Sequence, residues 1–275
     1  MKLVLGITTY NRLKYLKAIF SSWNDSKNND HDWTVMIADD GSIDGTLEYC
    51  DRLQSKYDNV IVFKNQRRGV HFQKNKMMKE SYDMGFDFGF MADDDVLFSR
   101  NGWDDLYVRA MQKSGYDHLC FFNLRWTKKY RPKYTIRKKL ILDPDKSIQC
   151  LVRGVCDAFG CFWTFTPRTI EKVGYIDVAN MGMCGGGHTD YSMRCCRAGL
   201  NDENNFYDAY QSEEYIKMHE KAYKGAISVK NRLFSASYKV KQNKDYVTLK
   251  KKNRIYVEYK ELNYNMSGKK VRNGE

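Results

Sequence analysis

The amino-acid sequence predicts an α/β fold in which helices flank a mostly parallel central sheet. Through about residue 100, short apolar segments typical of buried strands alternate with longer segments whose apolar residues recur at helical spacing. Two of the predicted strands run directly into aspartates, at residues 39–40 and 93–95. Because ligands bind beyond the carboxyl ends of parallel strands, both acidic clusters are expected to face one crevice.

The predicted elements follow in the order strand, helix, strand, helix, strand, helix, strand. The second helix opens with a helix-start residue, Asp44, and the third ends at Gly85. In chain order the segments are LVLGITTY, RLKYLKAIFSSWND, WTVMIADDGS, SIDGTLEYCDRLQSKY, VIVFKN, HFQKNKMMKESYDMG and GFDFGFMADDDVLF. The alternation then fades: HLCFFNLRW resembles a strand, and helices are predicted in TIEKVGYID and TDYSMRCCRAGL.

The run Asp93-Asp94-Asp95, here called the acidic trio, is the most informative feature of the chain. Three adjacent carboxylates repel one another and are costly to desolvate, so a strand end tolerates them best with a cation among them. Mg²⁺ and Mn²⁺ prefer carboxylate oxygen, and Mg²⁺ usually reaches a protein through one or two carboxylates plus substrate phosphates. The alternative interpretation is a solvated acidic turn.

Positive charge is concentrated near the C-terminus. The net charge is +12, and residues 221–275 hold 15 Lys and Arg against 4 Asp and Glu. We therefore predict a main domain over residues 1–220 and a basic C-terminal extension over residues 221–275. A second basic cluster, residues 125–139, holds eight basic residues interleaved with three aromatics. Such regions attract phosphates, nucleic acid or anionic membranes, and the alternative for each is a solvated loop.

Several classes of protein are disfavoured by the sequence. No apolar run approaches the ~20 residues that span a bilayer, and the apolar stretch at the N-terminus is too short for a signal peptide. The eight cysteines form no C-x-x-C pair, so neither a zinc site nor a disulfide framework is predicted. We expect a cytoplasmic protein with reduced cysteines, whose basic extension provides any peripheral contact with a membrane.

Five segments, in this order, resemble the nucleotide-sugar-dependent glycosyltransferases of the GT-A fold, especially the family-2-like group. They are TTYNR after the first strand, IADDGSIDGT, RRGVHFQKN, ADDDV, and GCFWTFTPRTIEKVGYID followed by GHTDYSMRCCRAGL. The second is close to the family's VDDGSTDGT, the third to its RxGxxxARN and the fourth to its DxD site. The resemblance covers roughly residues 3–200, and the order of the segments makes it specific although each alone is a weak match.

The resemblance implies a GT-A catalytic domain that moves a sugar from a nucleotide-diphosphate donor to an acceptor hydroxyl. It implies Mn²⁺ or Mg²⁺ as cofactor, inversion of configuration, and UDP as the default carrier. Asp93 and Asp95 match the DxD metal ligands, and His219 matches a downstream histidine that can complete the metal site, although an ordinary surface histidine is the alternative. The residues implied in nucleotide-sugar binding are Thr8, Thr9, Tyr10, Asp39, Asp40, Arg68, Lys74 and Asp94.

Some of these assignments have simpler local alternatives. Asp39 matches the residue that contacts the base, yet DDGS is also an ordinary Asx turn that caps the next helix. Arg68 and Lys74 fall in a segment that often contacts base or phosphate, and a surface role is open for each. The family commonly has Ala-Arg before the Asn of this segment, whereas this chain has Gln73-Lys74.

The proton acceptor for an inverting transfer has two candidates. The family often has EDxDLSLR followed by AG in this region. Aligned on DYSMRCCRAG, Asp190 matches the third acid, His188 takes the place of the usual catalytic Asp, and Gly187 replaces the Glu. Aligned on the acid pair, Asp190 becomes the base and Thr189 replaces the Glu, with a two-residue shift in the helix. We prefer Asp190 and retain His188; alternatively, Asp190 only starts the helix and His188 is structural.

Two other functions compete with glycosyl transfer. A related GT-A nucleotidyltransferase would carry a Gly-rich, basic signature after the first strand, which TTYNRLK lacks. A non-catalytic protein could use the basic regions to bind nucleic acid or another anion, but that does not explain acidic clusters at strand ends. The basic regions also suggest that the acceptor is anionic: a lipid phosphate, an acidic glycan or a nucleic acid.

Overall fold

The computed structural model describes residues 1–122, 140–142, 148–151, 160–183, 185–201, 206–219 and 254–259. The basic cluster at 125–139 and most of the predicted extension lie outside the described residues. Of the extension, only residues 254–259, here called the C-terminal segment, are described.

A five-stranded sheet forms the centre of the domain, with strand order β3-β2-β1-β4-β8. Strands β3, β2, β1 and β4 run parallel to one another, and β8 pairs antiparallel with β4 at the edge of the sheet. The strands are β1 (Lys2–Thr9), β2 (Asp32–Asp39), β3 (Val60–Lys64), β4 (Phe88–Asp93) and β8 (Phe162–Phe165). The predicted mostly parallel sheet is thereby confirmed, and both acidic clusters follow strands at its carboxyl edge.

Helices cover both faces of this sheet, because alternate residues of each buried strand point to opposite sides. Leu5 and Ile7 of β1 share an apolar core with α1, α2 and α4, whereas Val4 belongs to the core that contains residues of α3, α5 and α7. The helices are α1 (Leu13–Ser26), α2 (Thr46–Lys56), α3 (Val70–Met84), α4 (Trp103–Ser114), α5 (Pro167–Val173), α6 (Val178–Met181), α7 (Gly187–Arg197) and α8 (Ser212–Tyr215).

Two small sheets complete the described structure. One pairs β5 (Val96–Phe98) antiparallel with β10 (Ile216–Met218), and the other joins β6 (Leu140–Leu142), β7 (Ile148–Leu151) and β9 (Tyr207–Ala209). Because β5 begins directly after the acidic trio, its pairing with β10 brings the chain near residue 219 back to the trio.

The C-terminal segment packs on the main domain rather than apart from it. The amide of Val257 donates to the carbonyl of Val173 at 3.0 Å, and its carbonyl accepts from the amide of Tyr175 at 2.9 Å. Arg254 forms ion pairs with Asp177 and Asp190. At least these six residues of the predicted extension therefore belong structurally to the body.

No helix among the described residues combines the length and the apolar character needed to cross a membrane. The cysteines described as free, Cys50, Cys120, Cys161, Cys195 and Cys196, are all buried. Burial raises the pKa of the Cys50 thiol to about 12, which makes it a packing residue and a poor nucleophile.

Gly89, on strand β4, has no room for a side chain. A Cβ atom there would fall within 2.7 Å of ring atoms of Phe165 on the neighbouring strand β8. We expect Gly89→Ala to lower the free energy of unfolding by about 1–3 kcal/mol, the usual effect of overpacking a core. Urea denaturation measures this, with Ser55→Ala on the exposed side of α2 as control. An unchanged midpoint would show that the Phe165 ring moves aside freely.

Candidate active site

The carboxyl ends of β1 and β4 bring the predicted donor-binding threonines to the acidic trio. Thr8 lies opposite Asp93 in the parallel register, and its hydroxyl donates to the Asp93 carboxylate at 3.0 Å. Thr9 donates in the same way to Asp94 at 2.8 Å. Asp94 and Asp95 are almost completely buried and the Asp93 side chain is 33% exposed, so the trio is not a fully solvated turn.

Two basic side chains, here called the resident cations, neutralise part of this charge. Lys74 Nζ lies 2.8 Å from Asp93 Oδ1 and also donates to the carbonyl of Gly160 at 3.0 Å. Arg12 Nε lies 3.2 Å from Asp94 Oδ1. Lys74 is only 4% exposed, which argues against the surface role left open for it. Arg12 was not singled out from the sequence, although it ends the TTYNR motif directly after the strand-end loop.

His219 lies beside the trio, although 124 positions separate it from Asp95 in the sequence. The β5–β10 ladder continues past its last strand pair, so the amide of His219 donates to the carbonyl of Asp95 at 2.7 Å. The side-chain atoms Asp95 Oδ1 and His219 Nδ1 are both buried and have no hydrogen-bond partner among the described residues. Because buried polar atoms are normally paired, these two atoms are candidates to contact a bound group.

The trio has the electrostatics of a cation-binding site. Burial raises the pKa of Asp94 to about 7, opposed mainly by Arg12. Burial, followed by repulsion from Asp93, raises the pKa of Asp95 to about 6. A nearby divalent cation would reverse both effects by favouring the ionised carboxylates.

The protein groups supply only part of a coordination sphere. No group of three or more His, Cys, Asp or Glu side chains among the described residues is arranged to hold a metal alone. Asp95, with His219 beside it, nevertheless fits a hard cation whose remaining ligands come from phosphate oxygens and water. The residues present therefore fit Mn²⁺ or Mg²⁺ shared with a diphosphate.

The second acidic cluster shapes the loops next to the trio. The fully buried Asp39 carboxylate accepts from the amides of Gly41 at 2.9 Å and Ser42 at 2.8 Å, which forms an Asx turn. This turn does not cap the next helix, because α2 begins at Thr46 with Gly45 at its N-cap. Asp40 accepts from the amides of Arg68 and Gly69 at the start of α3 and from the side chain of Gln73. Burial raises the pKa of Asp40, and these hydrogen bonds oppose the rise.

Tyr10 lies under a guanidinium from the loop that Asp40 organises. The Arg67 side chain stacks 4.2 Å from the Tyr10 ring centroid and donates to its hydroxyl at 3.2 Å. Arg68 instead covers the ring of Phe72 at 4.8 Å. The structure thus groups Thr8, Thr9 and Lys74 at the trio, while Tyr10 and Arg68 lie in the adjoining loops.

Helix α7 directs its two candidate bases to different surroundings, because positions two apart on a helix lie on nearly opposite sides. The His188 ring packs against Gly160, the residue whose carbonyl binds Lys74. Asp190 instead forms ion pairs with Arg194 at 2.9 Å and Arg254 at 3.2 Å. His188 is therefore joined to the trio through Gly160 and Lys74, whereas Asp190 belongs to an arginine network.

Another histidine near the site, His71, contacts Gly182 and also Gly187, the first residue of α7. Its Nδ1 lies 2.7 Å from the carbonyl oxygen of Gly182, and the opposite edge of its ring packs against Gly187. Burial lowers the pKa of His71 to about 4, so the ring is neutral and Nδ1–H donates to that carbonyl. The sequence contained no signal for this contact beyond the presence of His71 in α3.

The sequence matches a protein-family model. The model for "Glycosyl transferase family 2" matches residues 5–174, which is more than half of the chain. The chain belongs to glycosyl transferase family 2. The resemblance inferred from the five sequence segments is thereby confirmed, and the protein is a glycosyltransferase.

Two relatives of this family 2 glycosyltransferase are also named as glycosyltransferases. It is 27% identical over 227 residues to an uncharacterized glycosyltransferase of Acanthamoeba polyphaga mimivirus, covering 80% of this chain and 82% of the relative. It is 26% identical over 136 residues to an uncharacterized glycosyltransferase of Mycoplasma genitalium, covering 47% of this chain and 44% of that protein.

A solved structure confirms the GT-A fold of the family 2 glycosyltransferase. Residues 1–349 of S. aureus TarS, crystallised in complex with UDP, superpose with a TM-score of 0.53 at 14% identity. The match covers 78% of this chain but 60% of the TarS chain, so the glycosyltransferase spans less than two thirds of that structure. At this identity the likeness concerns the fold alone.

The Asp190 network predicts a stability effect in the glycosyltransferase. Arg194 is fully buried and also donates to the carbonyls of Val173 and Tyr175. Asp190→Ala leaves this charge without its carboxylate, so we expect the free energy of unfolding to fall by about 3–5 kcal/mol. Chemical denaturation measures it, and Asp87→Ala at an exposed strand end is the control. Equal stability of the two variants would contradict a structural role for Asp190.

Proposed function

We propose that the chain transfers a sugar from a nucleoside-diphosphate donor to an acceptor hydroxyl, with Mn²⁺ or Mg²⁺ held between the acidic trio and the donor diphosphate. The single observation that carries the proposal is that Asp95 Oδ1, at the carboxyl edge of the central sheet, and His219 Nδ1 are buried without a hydrogen-bond partner among the described residues. A cation bound there would stabilise the charge that develops on the departing diphosphate.

The donor is proposed to lie across the ends of β1, β2 and β4. Thr8 and Thr9 close the trio side of this crevice, and the loops organised by Asp39 and Asp40 close the other. The Tyr10 ring, with the Arg67 guanidinium stacked on it, offers a flat surface for a nucleobase or ribose. UDP is the first carrier to test, because the TarS chain of similar fold was crystallised with UDP.

We assign the role of base to His188, which reverses the preference drawn from the sequence. An inverting transfer needs a group that takes the acceptor proton opposite the leaving group. Both oxygens of Asp190 are engaged by Arg194 or Arg254, and an arginine pair makes a carboxylate a weaker proton acceptor. The His188 ring instead lies against Gly160, whose carbonyl accepts a hydrogen bond from Lys74.

The nucleotide specificity and the metal requirement can be tested together. Titration calorimetry with UDP, GDP, CDP and dTDP, each with and without Mn²⁺, should show one diphosphate that binds strongly only with the metal. Binding of no diphosphate under either condition would contradict the proposal and would favour a non-catalytic anion-binding protein. Transfer of the nucleotidyl group of a nucleoside triphosphate to an acceptor phosphate, with release of pyrophosphate, would instead favour a nucleotidyltransferase.

An anionic acceptor or membrane surface remains our proposal for the basic extension. The support is compositional: residues 221–275 carry a net charge of +11, whereas residues 1–220 carry +1. We expect the full chain to sediment with vesicles that contain an anionic phospholipid and not with neutral vesicles, and to be released by high salt because charge attraction is screened. Equal sedimentation with both vesicles would reject electrostatic membrane contact.

A further inference from the structure

We infer that Lys74 and Arg12 are internal counter-ions that hold the acidic trio in place of the metal, so that the metal binds together with the donor diphosphate and only weakly before it. This inference rests on the proposed function, since it concerns how the same site acquires its cation. It assigns to the two resident cations a role in setting metal affinity.

The first observation is that both cations are built into the trio. Lys74 is 4% exposed and contacts Asp93, while Arg12 contacts Asp94 and stacks its guanidinium 4.7 Å from the Tyr15 ring centroid. When all three carboxylates are ionised, the two fixed cations reduce the charge of the site from −3 to −1. The attraction of the metal-free site for a divalent ion is reduced accordingly.

The second observation is that both cations keep hydrogen-bonding capacity for an incoming anion. Arg12 Nη2 is buried and has no hydrogen-bond partner among the described residues. Lys74 uses two contacts, to Asp93 and Gly160, of the three that an ammonium group can donate. Lys74 and Arg12 can thus donate hydrogen bonds to phosphate oxygens while they keep their contacts with the trio.

Arg12 lies on the same side of the site as Asp95 Oδ1 and His219 Nδ1, which have no hydrogen-bond partner among the described residues. Tyr15, which lies under the Arg12 guanidinium, also contacts the His219 ring edge-on at 5.0 Å between centroids. A divalent ion near Asp95 and His219 would therefore lie close to a fixed guanidinium. A diphosphate bound between the divalent ion and Arg12 would relieve this repulsion, because its negative charge attracts both of them.

The two binding events are consequently coupled, and the coupling is reciprocal: the diphosphate must strengthen metal binding by the same factor as the metal strengthens diphosphate binding. Removing one resident cation should weaken this coupling from both directions. Metal alone should bind more tightly, because one opposing charge is gone. The diphosphate should bind less tightly, because one of its partners is gone.

Lys74→Met and Arg12→Met test the inference, since methionine retains an unbranched apolar side chain without the charge. Free Mn²⁺ is followed by electron paramagnetic resonance at about pH 8, where ordinary carboxyls are ionised, first with protein alone and then with added UDP. We expect each variant to bind Mn²⁺ alone about tenfold or more tightly than the wild type, and to show a smaller enhancement by UDP.

Controls separate this role from general effects of charge and folding. Lys79→Met removes a half-exposed lysine from the same helix, and it should bind Mn²⁺ as the wild type does. Lys74→Arg keeps the charge and should also leave the affinity for Mn²⁺ alone near the wild-type value. Far-ultraviolet circular dichroism checks that each variant is folded, and Arg12→Met provides a second answer should Lys74→Met fail to fold.

The outcomes distinguish this inference from the proposed function. A wild type that binds Mn²⁺ only with a nucleotide, combined with tighter metal-only binding in both methionine variants, supports it. Unchanged or weaker metal-only binding in the folded variants overturns the inference and leaves the proposed function standing. A wild type that binds Mn²⁺ with none of the four nucleoside diphosphates contradicts the proposed function itself.

Discussion

Asp95→Asn should abolish metal-dependent binding of the nucleotide and lower turnover about 1000-fold. The substitution preserves the shape of the side chain but removes the negative charge from Asp95, whose buried Oδ1 has no partner in the part of the chain that the structure describes. Loss of Lewis-acid stabilisation of a leaving group amounts to several kcal/mol, which corresponds to this fold-change. Calorimetric titration with UDP and Mn²⁺ and a donor-hydrolysis assay measure the two effects.

The control for Asp95→Asn is Asp87→Asn, which lies near the opposite end of β4. Asp87 is exposed and accepts a hydrogen bond only from the Lys2 amide in the described contacts, so its variant should bind and react like the wild type. Asp95→Asn is expected to fold, because Asp95 makes no described ion pair. If the folded variant retained metal-dependent nucleotide binding, the placement of the cation at the trio would be wrong.

His188→Gln should lower turnover by about 100- to 10,000-fold, the usual contribution of a general base. The change keeps polar atoms at the place where the ring contacts Gly160, so the affinity for donor and metal should change by no more than about twofold. Separate measurement of nucleotide binding and of sugar transfer to an acceptor distinguishes the two effects.

Asp190→Asn is the matched variant for this experiment, because it lies two positions away on the same helix. We expect it to lose stability while the folded fraction retains most of its turnover, since Asp190 is tied to Arg194 and Arg254. A result in which Asp190→Asn is folded but inactive, and His188→Gln remains active, would restore the order of preference drawn from the sequence.

The sequence was most informative where the pattern was local. The alternation of apolar runs and helical spacing predicted β1 to β4 and α1 to α3 in the right order, because periodicity depends on neighbouring residues. Strand β8 was not predicted to be antiparallel. Its direction depends on how the chain returns to the sheet, which the period of two residues in a strand does not encode.

The residues of the site were predictable only where they lie in local motifs. Its motifs indicated the trio, Thr8, Thr9 and Lys74, and the structure brings these residues together. The role of Arg12 at Asp94 had no such signal, since an arginine after a strand can face solvent as easily as a carboxylate. Nor could the sequence reveal that Arg254, far along the basic extension, binds Asp190.

The fold class, the acidic edge of the sheet and membership of the glycosyltransferase family could be inferred without a structure, because each is encoded in short segments whose order along the chain is visible. Which charges meet depends on the packing of the folded chain. This packing placed His219 at Asp95 through the β5–β10 ladder, and it separated His188 from Asp190 through the ion pairs of Arg194 and Arg254. These contacts join residues distant in sequence, and their strength depends on burial, which no local pattern specifies.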